Sequence, residues 1–141
     1  MVAALASLAL NADNPAAAAG IPQLVAVLHA GTAEAKESAA GALWSLAVKA
    51  DNQVAIVQAG ALLPLIELLS SGSPLAQQRA ASALSNLAVT DSHRQLIADA
   101  GGLAPLIALL PISNAAQALK NLALHGATRE EMRRLGCPEK F

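Results

Sequence analysis

Cysteine and histidine, the residue types that most often carry nucleophilic or metal chemistry, are scarce in this sequence. Cys137 is the single cysteine, and the histidines are His29, His93 and His125. Cys137 lies in the C-terminal stretch GCPEKF, and no acid accompanies it and its nearest histidine, His125, at a motif spacing. The histidines share no metal-ligand spacing and fall near predicted helix ends, where a ring can bind a free carbonyl. We therefore predict that the protein is not an enzyme and holds no metal and no cofactor.

The composition favours closely packed helices. The 141 residues are 55% hydrophobic, which is typical of a folded domain with a core. Alanine and leucine dominate the sequence and are strong helix formers. Strands prefer β-branched and aromatic side chains, and aromatic residues make up only 1% of this chain.

Charge and hydropathy exclude two classes of partner. The net charge is −1 and no basic run is longer than Arg133-Arg134, so the phosphate-neutralising patch of a nucleic-acid-binding protein is missing. No apolar run without a proline or glycine approaches the roughly 20 residues that span a bilayer, so we predict no membrane span. The single cysteine suits a reducing compartment, and we expect a cytoplasmic or nuclear location, or both.

One sequence pattern recurs four times along the chain. The stretch ALWSLAVKADN at 42–52 returns as ALSNLAVTDSH at 83–93 and as ALKNLALHGAT at 118–128, and ALASLALNADN at 4–14 is a further copy. The copies that begin at Ala42 and Ala83 are 41 residues apart, a spacing that is typical of stacked helical units. A single unit of that size cannot bury its apolar faces, so the pattern predicts a solenoid.

The fullest copy, at 52–91, predicts three helices. Asn52 is the candidate N-cap of a short first helix that ends at Gly60. A second helix carries Pro64 in its first turn and an apolar stripe. Ser73, followed by a proline, is the candidate N-cap of a longer third helix.

The predicted helix starts and ends divide the single domain into complete and partial repeats. We predict a partial repeat with a third helix only at 1–13, repeat 1 with a short first helix at 14–51, repeat 2 at 52–91, repeat 3 with a shortened third helix at 92–126, and a partial repeat with a first helix and tail at 127–141.

These residues resemble the armadillo repeat family. The stretches NQVAIVQAGALLPLIELLSSGSPLAQQRAASALSNLA and AVTDSHRQLIADAGGLAPLIALL are similar to its pattern N-x-x-x-I-x-x-x-G-x-x-x-L-[VI]-x-L-L, with a third helix of the type A-x-x-A-L-x-N-L-A. The resemblance implies an all-α, right-handed armadillo-type α-solenoid with three-helix repeats. HEAT repeats are the structural alternative, but they usually have two helices per unit, and the short first helix ending in Ala-Gly argues against them.

The resemblance also implies a function. Armadillo solenoids bind extended partner segments on a concave face lined by third helices, where an asparagine hydrogen-bonds the partner's backbone. An amide suits this task because it offers both a donor and an acceptor. Alignment places Ser7, Ser45, Asn86 and Asn121 at that position, which we call the ladder column. At the usual helix spacing, Asn86 and Asn121 would hold backbone groups about three residues apart.

A second column departs from the family pattern. Its tryptophan one turn before the asparagine is replaced here by Gly41, Ser82 and Gln117, so we predict no aromatic slots for a basic localisation signal. The only tryptophan, Trp44, instead precedes the ladder column and aligns with Ser85 and Lys120. It should be partly exposed, either as an anchor for a partner or as a lid over neighbouring helices.

We therefore predict a non-catalytic scaffold that binds an extended segment of a partner protein. The candidate contact residues are Asn86, Asn121, Ser45, Ser82, Gln117, Lys120, Arg79 and Trp44, with Gln78 beside them. The alternatives are an inner piece of a longer array with no binding of its own and a substrate-recruiting segment of a ubiquitin ligase, although the sequence contains no ligase domain.

The N-terminal end of the predicted solenoid is unusually apolar. Between Met1 and Ala33 the only formally charged side chain is that of Asp13, whereas a solenoid normally ends in a polar cap. We expect this end to be covered by upstream repeats of a longer array or, as the alternative, by self-association.

Overall fold

The computed structural model describes residues 19–110 and 113–138, and every regular element within them is an α-helix. In chain order the helices are α1 (Ile21–Ala30), α2 (Ala33–Leu46), α3 (Ala50–Gln58), α4 (Leu62–Ser71), α5 (Pro74–Leu87), α6 (Asp91–Asp99), α7 (Leu103–Ala108), α8 (Ser113–Leu122) and α9 (Gly126–Arg134). The expectations for Ser7, for the partial repeat at 1–13 and for most of the short helix after it lie outside the described residues.

The helices repeat in three kinds. First helices are α3, α6 and α9, second helices are α1, α4 and α7, and third helices are α2, α5 and α8. The third helices lie side by side, because α5 packs against both α2 and α8. Each second helix packs on the third helix of its own unit, and α9 packs on α6. The described part of the chain is therefore a solenoid of three-helix units.

The core consists of large aliphatic side chains of the second helices packed against small ones of the third helices. Leu65 and Leu69 of α4 are almost fully buried, and so are Ala80 and Ala83 of α5. Burying one leucine side chain contributes about 1.5–3 kcal/mol, and alanines allow the helices to approach closely.

Helix ends follow the punctuation of the sequence at several positions. The hydroxyl of Ser73 accepts a hydrogen bond from the backbone N–H of Ala76 at 3.1 Å, as expected of an N-cap. Two residues beyond the ends of the first helices lie Gly60, Gly101 and Gly136, with φ of +85°, +84° and +83°. Glycine adopts this left-handed conformation without the steric cost of a Cβ, which explains why it recurs there.

The start of α3 differs from the sequence prediction. Asn52 does not cap this helix, because α3 begins at Ala50 with Lys49 as the N-cap residue. Asn52 is only 4% exposed, and its Nδ2 donates to the carbonyl of Leu46 at 3.0 Å. Leu46 is the last residue of α2, where carbonyls have no partner within the helix. The asparagine therefore caps the C-terminus of the preceding third helix.

The same junction recurs one unit later. His93 is buried, and its Nδ1 lies 3.1 Å from the carbonyl oxygen of Leu87 at the end of α5. The next residue repeats the correspondence, because Gln53 donates to the carbonyl of Ala47 and Arg94 to that of Ala88. The expectation that a histidine ring meets a free carbonyl at a helix end is confirmed for His93.

The third junction lacks its side-chain bond. Thr128 lies on α9, 35 residues after His93, the same spacing that separates Asn86 from Asn121. Its side chain is 1% exposed, and among the described residues Oγ1 has no hydrogen-bond partner. A threonine side chain is shorter than that of asparagine or histidine, so its hydroxyl does not replace their bond to the preceding helix.

The last described unit is shorter than the one before it. Its third helix, α8, has 10 residues where α5 has 14, and its second helix, α7, has six. No single helix in the described ranges is long and apolar enough to cross a membrane. Only α3 and α4 together meet that criterion of length and composition, and they are bent by 84° at their junction.

Candidate partner-binding site

The ladder column lies on three neighbouring third helices. Ser45 is on α2, Asn86 on α5 and Asn121 on α8. The Nδ2 atom of Asn86 donates to the backbone carbonyl of Trp44 at 3.2 Å. Similarly, Nδ2 of Asn121 donates to the carbonyl of Ser85 at 2.9 Å. Each asparagine thus binds the residue just before the ladder position on the adjacent helix.

The two acceptor carbonyls need a donor from outside their own helix. Trp44 and Ser85 each stand third from the end of their helix, and the last four carbonyls of an α-helix have no intrahelical donor. The ladder asparagines supply one and so join consecutive third helices. Sequence reasoning missed this role, because the bond from Asn86 to Trp44 joins residues 42 positions apart.

The two asparagines differ in the hydrogen-bonding capacity that they leave for a partner. Among the described residues, none donates to Oδ1 of Asn86, and its Nδ2 makes the single bond to Trp44. Asn121 donates to Oγ of Ser85 at 3.2 Å as well as to its carbonyl, and its Oδ1 accepts from Nε2 of Gln117 at 3.1 Å. Asn86 therefore presents a free acceptor and a free N–H, whereas the amide of Asn121 is engaged on both sides.

Ser45 makes no corresponding bond to any other helix in the described part of the chain. Its hydroxyl donates to the carbonyl of Gly41, four residues earlier in α2, at 3.2 Å. A serine at this position hydrogen-bonds within its own helix, because its side chain is short. It also has no amide to offer a partner. The first position of the described ladder column is therefore polar without the amide geometry.

Gly41 leaves room for an arginine of the next unit. A Cβ at this position would lie 3.2 Å from both Cδ and Nε of Arg79, so the arginine side chain packs directly over Gly41. Nη1 of Arg79 donates to the carbonyl of Glu37 at 3.1 Å and lies 3.9 Å from its carboxylate. That carboxylate also accepts from the hydroxyl of Ser73 at 2.6 Å. Arg79 therefore joins α5 to α2, with part of its side chain exposed.

The hydroxyl of Ser82 is already engaged by its neighbours. The residue is buried, donates from Oγ to the carbonyl of Gln78 at 2.9 Å, and accepts from Nδ2 of Asn114. Sequence reasoning did not single out Asn114. Alignment at the spacing of 35 residues would have placed it in the column of Arg79 and so on this face of α8.

Six residues of the three third helices line a groove of about 190 Å³. They are Trp44, Ser82, Ser85, Asn86, Asn114 and Gln117, and we call this the amide groove. Trp44 is 43% exposed, so the expected partial exposure is confirmed. A cavity of about 150 Å³ in an engineered protein core holds benzene. The amide groove is larger than that cavity, so it has room for one side chain of a partner.

The amide groove is electrically neutral. None of its six residues is ionisable, and their polar side-chain groups are hydroxyls, amides and the indole N–H. Lys120 takes on α8 the position that Trp44 has on α2, and it is exposed. None of the described residues forms an ion pair with it.

Cys137 is buried at the C-terminal end of α9. Its backbone N–H donates to the carbonyl of Met132 at 3.0 Å, which closes the helix beyond Gly136. The equivalent positions after Gly60 and Gly101 are also small residues. Burial raises the pKa of the Cys137 thiol, and therefore lowers the fraction of the reactive thiolate.

His125 precedes α9 and contacts α6. Its Nδ1 lies 3.2 Å from Oδ1 of Asp91, and its Nε2 lies 2.9 Å from Oε1 of Gln95. It occupies the N-cap position of α9 but makes no capping bond with its side chain. Within the described ranges, no group of three histidine, cysteine, aspartate or glutamate side chains is arranged to hold a metal ion.

When this sequence is compared with models of known protein families, one model matches. Residues 49–89 match the model of the Armadillo/beta-catenin-like repeat. Comparison with curated protein sequences finds no match. A designed armadillo repeat protein, YIII(Dq)4CqI, is 28% identical with a TM-score of 0.88, and the alignment covers 96% of this chain and 63% of that protein.

Two further solved structures are similar. A designed armadillo repeat protein in complex with the peptide (KR)4 is 25% identical with a TM-score of 0.87, over 96% of this chain and 62% of that one. An engineered protein of the Northeast Structural Genomics Consortium is 30% identical with a TM-score of 0.89, over 99% and 63%. The chain thus spans slightly less than two thirds of the length of these proteins.

Proposed function

This chain belongs to the armadillo repeat family and has its all-α, right-handed solenoid fold, and we propose that its third helices bind an extended segment of a partner protein without catalysing a reaction. The observation that carries the proposal is the amide of Asn86. Within the described ranges, no group binds its acceptor or its second N–H at the amide groove, beside the partly exposed ring of Trp44.

The chemistry of Asn86 suits a peptide backbone. A peptide group offers one N–H and one C=O, and the free sites of the amide complement both. Such a contact does not depend on the partner's side chains. The bond from Nδ2 to Trp44 supports this role, because it holds the amide in one orientation before a partner arrives and so reduces the entropy lost on binding.

The strongest hydrogen bonds to the partner's backbone are expected at Asn86, with weaker contacts at Ser45 and Asn121 on either side. Ser45 has no amide, and Asn121 has its acceptor engaged by Gln117. Ordinary spacing between packed helices corresponds to about three residues of an extended segment. We therefore expect one strong backbone contact and modest affinity from these units alone.

Two further points favour a binding scaffold over an enzyme. The designed armadillo repeat protein in complex with the peptide (KR)4 has a similar fold at 25% identity, so this architecture can bind a peptide. Cys137, the one cysteine, is buried at a helix end with a raised thiol pKa, which opposes a nucleophilic role.

Selection from a random 12-residue phage-displayed peptide library, followed by binding assays on the synthesised peptides, tests the proposal. The fluorescence of Trp44 measures binding directly, because Trp44 is the only tryptophan of the chain and lines the amide groove. We expect Asn86→Ala to weaken binding about tenfold, the loss that corresponds to 1.4 kcal/mol. Unchanged affinity at a temperature where both proteins are folded would contradict the proposal.

Asn52→Ala is the matched control. It also removes an amide that donates to the C-terminal end of a third helix, but Asn52 is buried at a helix junction and does not line the groove. We expect it to lower the melting temperature and to leave peptide affinity unchanged. If no peptide is enriched in the selection, the purely structural role in a longer array becomes the better interpretation.

The peptide (KR)4 is a useful second probe. None of the six residues of the amide groove is acidic, so a basic segment finds no carboxylate there. The carboxylate of Glu37, on α2, is engaged by Arg79 and Ser73. We expect (KR)4 to bind more weakly than the selected peptides.

A further inference from the structure

The residue one turn before each ladder position differs between the three units. On α2 it is Gly41, which has no side chain, and on α5 it is Ser82, whose hydroxyl donates to Gln78 within its own helix. On α8 it is Gln117, whose Nε2 donates to Oδ1 of Asn121 at 3.1 Å. Only a side chain as long as glutamine spans the turn to the ladder amide.

The orientation of the Asn121 amide follows from its acceptors. The backbone carbonyl of Ser85 can only accept, so the nitrogen of the amide must face it, at 2.9 Å. Oδ1 then faces Gln117, which must present its own nitrogen. The bond from Gln117 to Asn121 is therefore determined by the packing of α8 against α5 and not by an arbitrary choice of amide orientation.

Resting on the proposed function, we infer that Gln117 is a specificity-determining residue that occupies one of the two lone pairs of Asn121 Oδ1 and so competes with a partner for this acceptor. Asn121 has committed its nitrogen to Ser85 and its oxygen to Gln117, while Asn86 keeps a free oxygen. The chain consequently binds a partner's backbone more weakly at Asn121 than at Asn86. The strongly bound segment is shorter than the number of ladder asparagines implies.

Removal of Gln117 tests this inference. In Gln117→Ala the oxygen of Asn121 becomes free to accept a backbone N–H of the partner, about three residues away from the group bound at Asn86. We expect affinity for the selected 12-residue peptides to rise about two- to tenfold, the range expected of one net hydrogen bond. Peptides truncated on the side that faces α8 should not gain.

Two further variants separate this effect from a change in packing. Gln117→Glu places a carboxylate that cannot donate at the same site, so Asn121 stays available and affinity should again rise for a peptide that carries no basic residues. Gln117→Lys retains a donor at this position and should bind like the wild type. Because Gln117 is exposed, all three variants are expected to fold.

The outcomes distinguish the inference from the proposed function. If Asn86→Ala weakens binding while Gln117→Ala changes neither affinity nor the dependence on peptide length, the inference about Gln117 is wrong and the binding face stands. If Asn86→Ala has no effect on the binding of the selected peptides, the binding face itself is wrong. A rise in affinity in Gln117→Ala and Gln117→Glu, absent in Gln117→Lys, establishes the role of Gln117.

Discussion

The side-chain amide of Asn86 lies 3.2 Å from the backbone carbonyl of Trp44, the residue before the ladder position on the preceding third helix. One residue thus stabilises the stack of helices and presents hydrogen-bonding groups to a partner. Truncation of Asn86 therefore affects both stability and binding. The two effects must be measured separately.

The stability of Asn86→Ala should fall modestly. Loss of this exposed hydrogen bond between helices costs about 0.5–1.5 kcal/mol in the free energy of unfolding. Asn52→Ala should cost more, about 1–3 kcal/mol, because it leaves a buried helix end without its amide donor. Urea denaturation followed by circular dichroism measures both values. A larger loss in Asn86→Ala than in Asn52→Ala would contradict the assigned burial of the two bonds.

Thr128→Val should stabilise the protein. The hydroxyl of Thr128 is buried without a partner in the described structure, and valine replaces it with a methyl group of similar shape. Relief of an unsatisfied buried hydroxyl is worth about 1 kcal/mol. Thr128→Ala is the control, since it removes the hydroxyl and a packed methyl group together and should destabilise. A loss of stability in Thr128→Val would show that the hydroxyl has a partner.

Glycine substitutions at two helix ends should have opposite effects. Gly60 has φ of +85°, so Gly60→Ala forces a left-handed conformation on a residue with a Cβ and should cost about 1–2 kcal/mol. Gly126 begins α9, and a Cβ built on it meets no atom within 4 Å. Gly126→Ala should therefore raise the free energy of unfolding by about 0.5–1 kcal/mol. Thermal unfolding compares the two variants directly.

The burial of Cys137 predicts a dependence of stability on pH. Burial raises the thiol pKa in the folded protein above the unfolded value of about 8.5, so the unfolded chain loses the proton first as the pH rises. The free energy of unfolding should then decrease from about pH 8.5 up to the folded pKa. Cys137→Ala removes this contribution, so the difference in stability between the two proteins should change between pH 7 and pH 9.5. A constant difference would mean that the thiol is solvated in the folded state.

Much of the architecture was accessible from the sequence because it rests on local signals that recur. The serine N-cap at Ser73 and the glycine at Gly60 each act within one turn of chain, and the apolar stripe of the second helix depends only on helical spacing. Recurrence at about forty residues then indicated stacking, since one unit cannot bury its own apolar faces.

The assignment of Asn52 shows where local reasoning failed. Asparagine is a frequent N-cap, and the sequence offered no sign that its side chain was needed elsewhere. In the folded chain the carbonyl of Leu46 ends the preceding helix nearby, has no donor within that helix and accepts from Nδ2 of Asn52 at 3.0 Å. The bond to this helix end outweighs the capping preference of the asparagine.

Local sequence signals were enough to predict the helices, their period and the column in which Asn86 and Asn121 recur. Packing of the third helices set the role of those amides. It directed their nitrogen atoms to Trp44 and Ser85, placed Arg79 over Gly41 and engaged Asn121 with Gln117. Helix signals act within a few residues, whereas most of these contacts join residues that lie 36 or more positions apart in the chain. Only the packing of the third helices brings such residues within hydrogen-bonding distance.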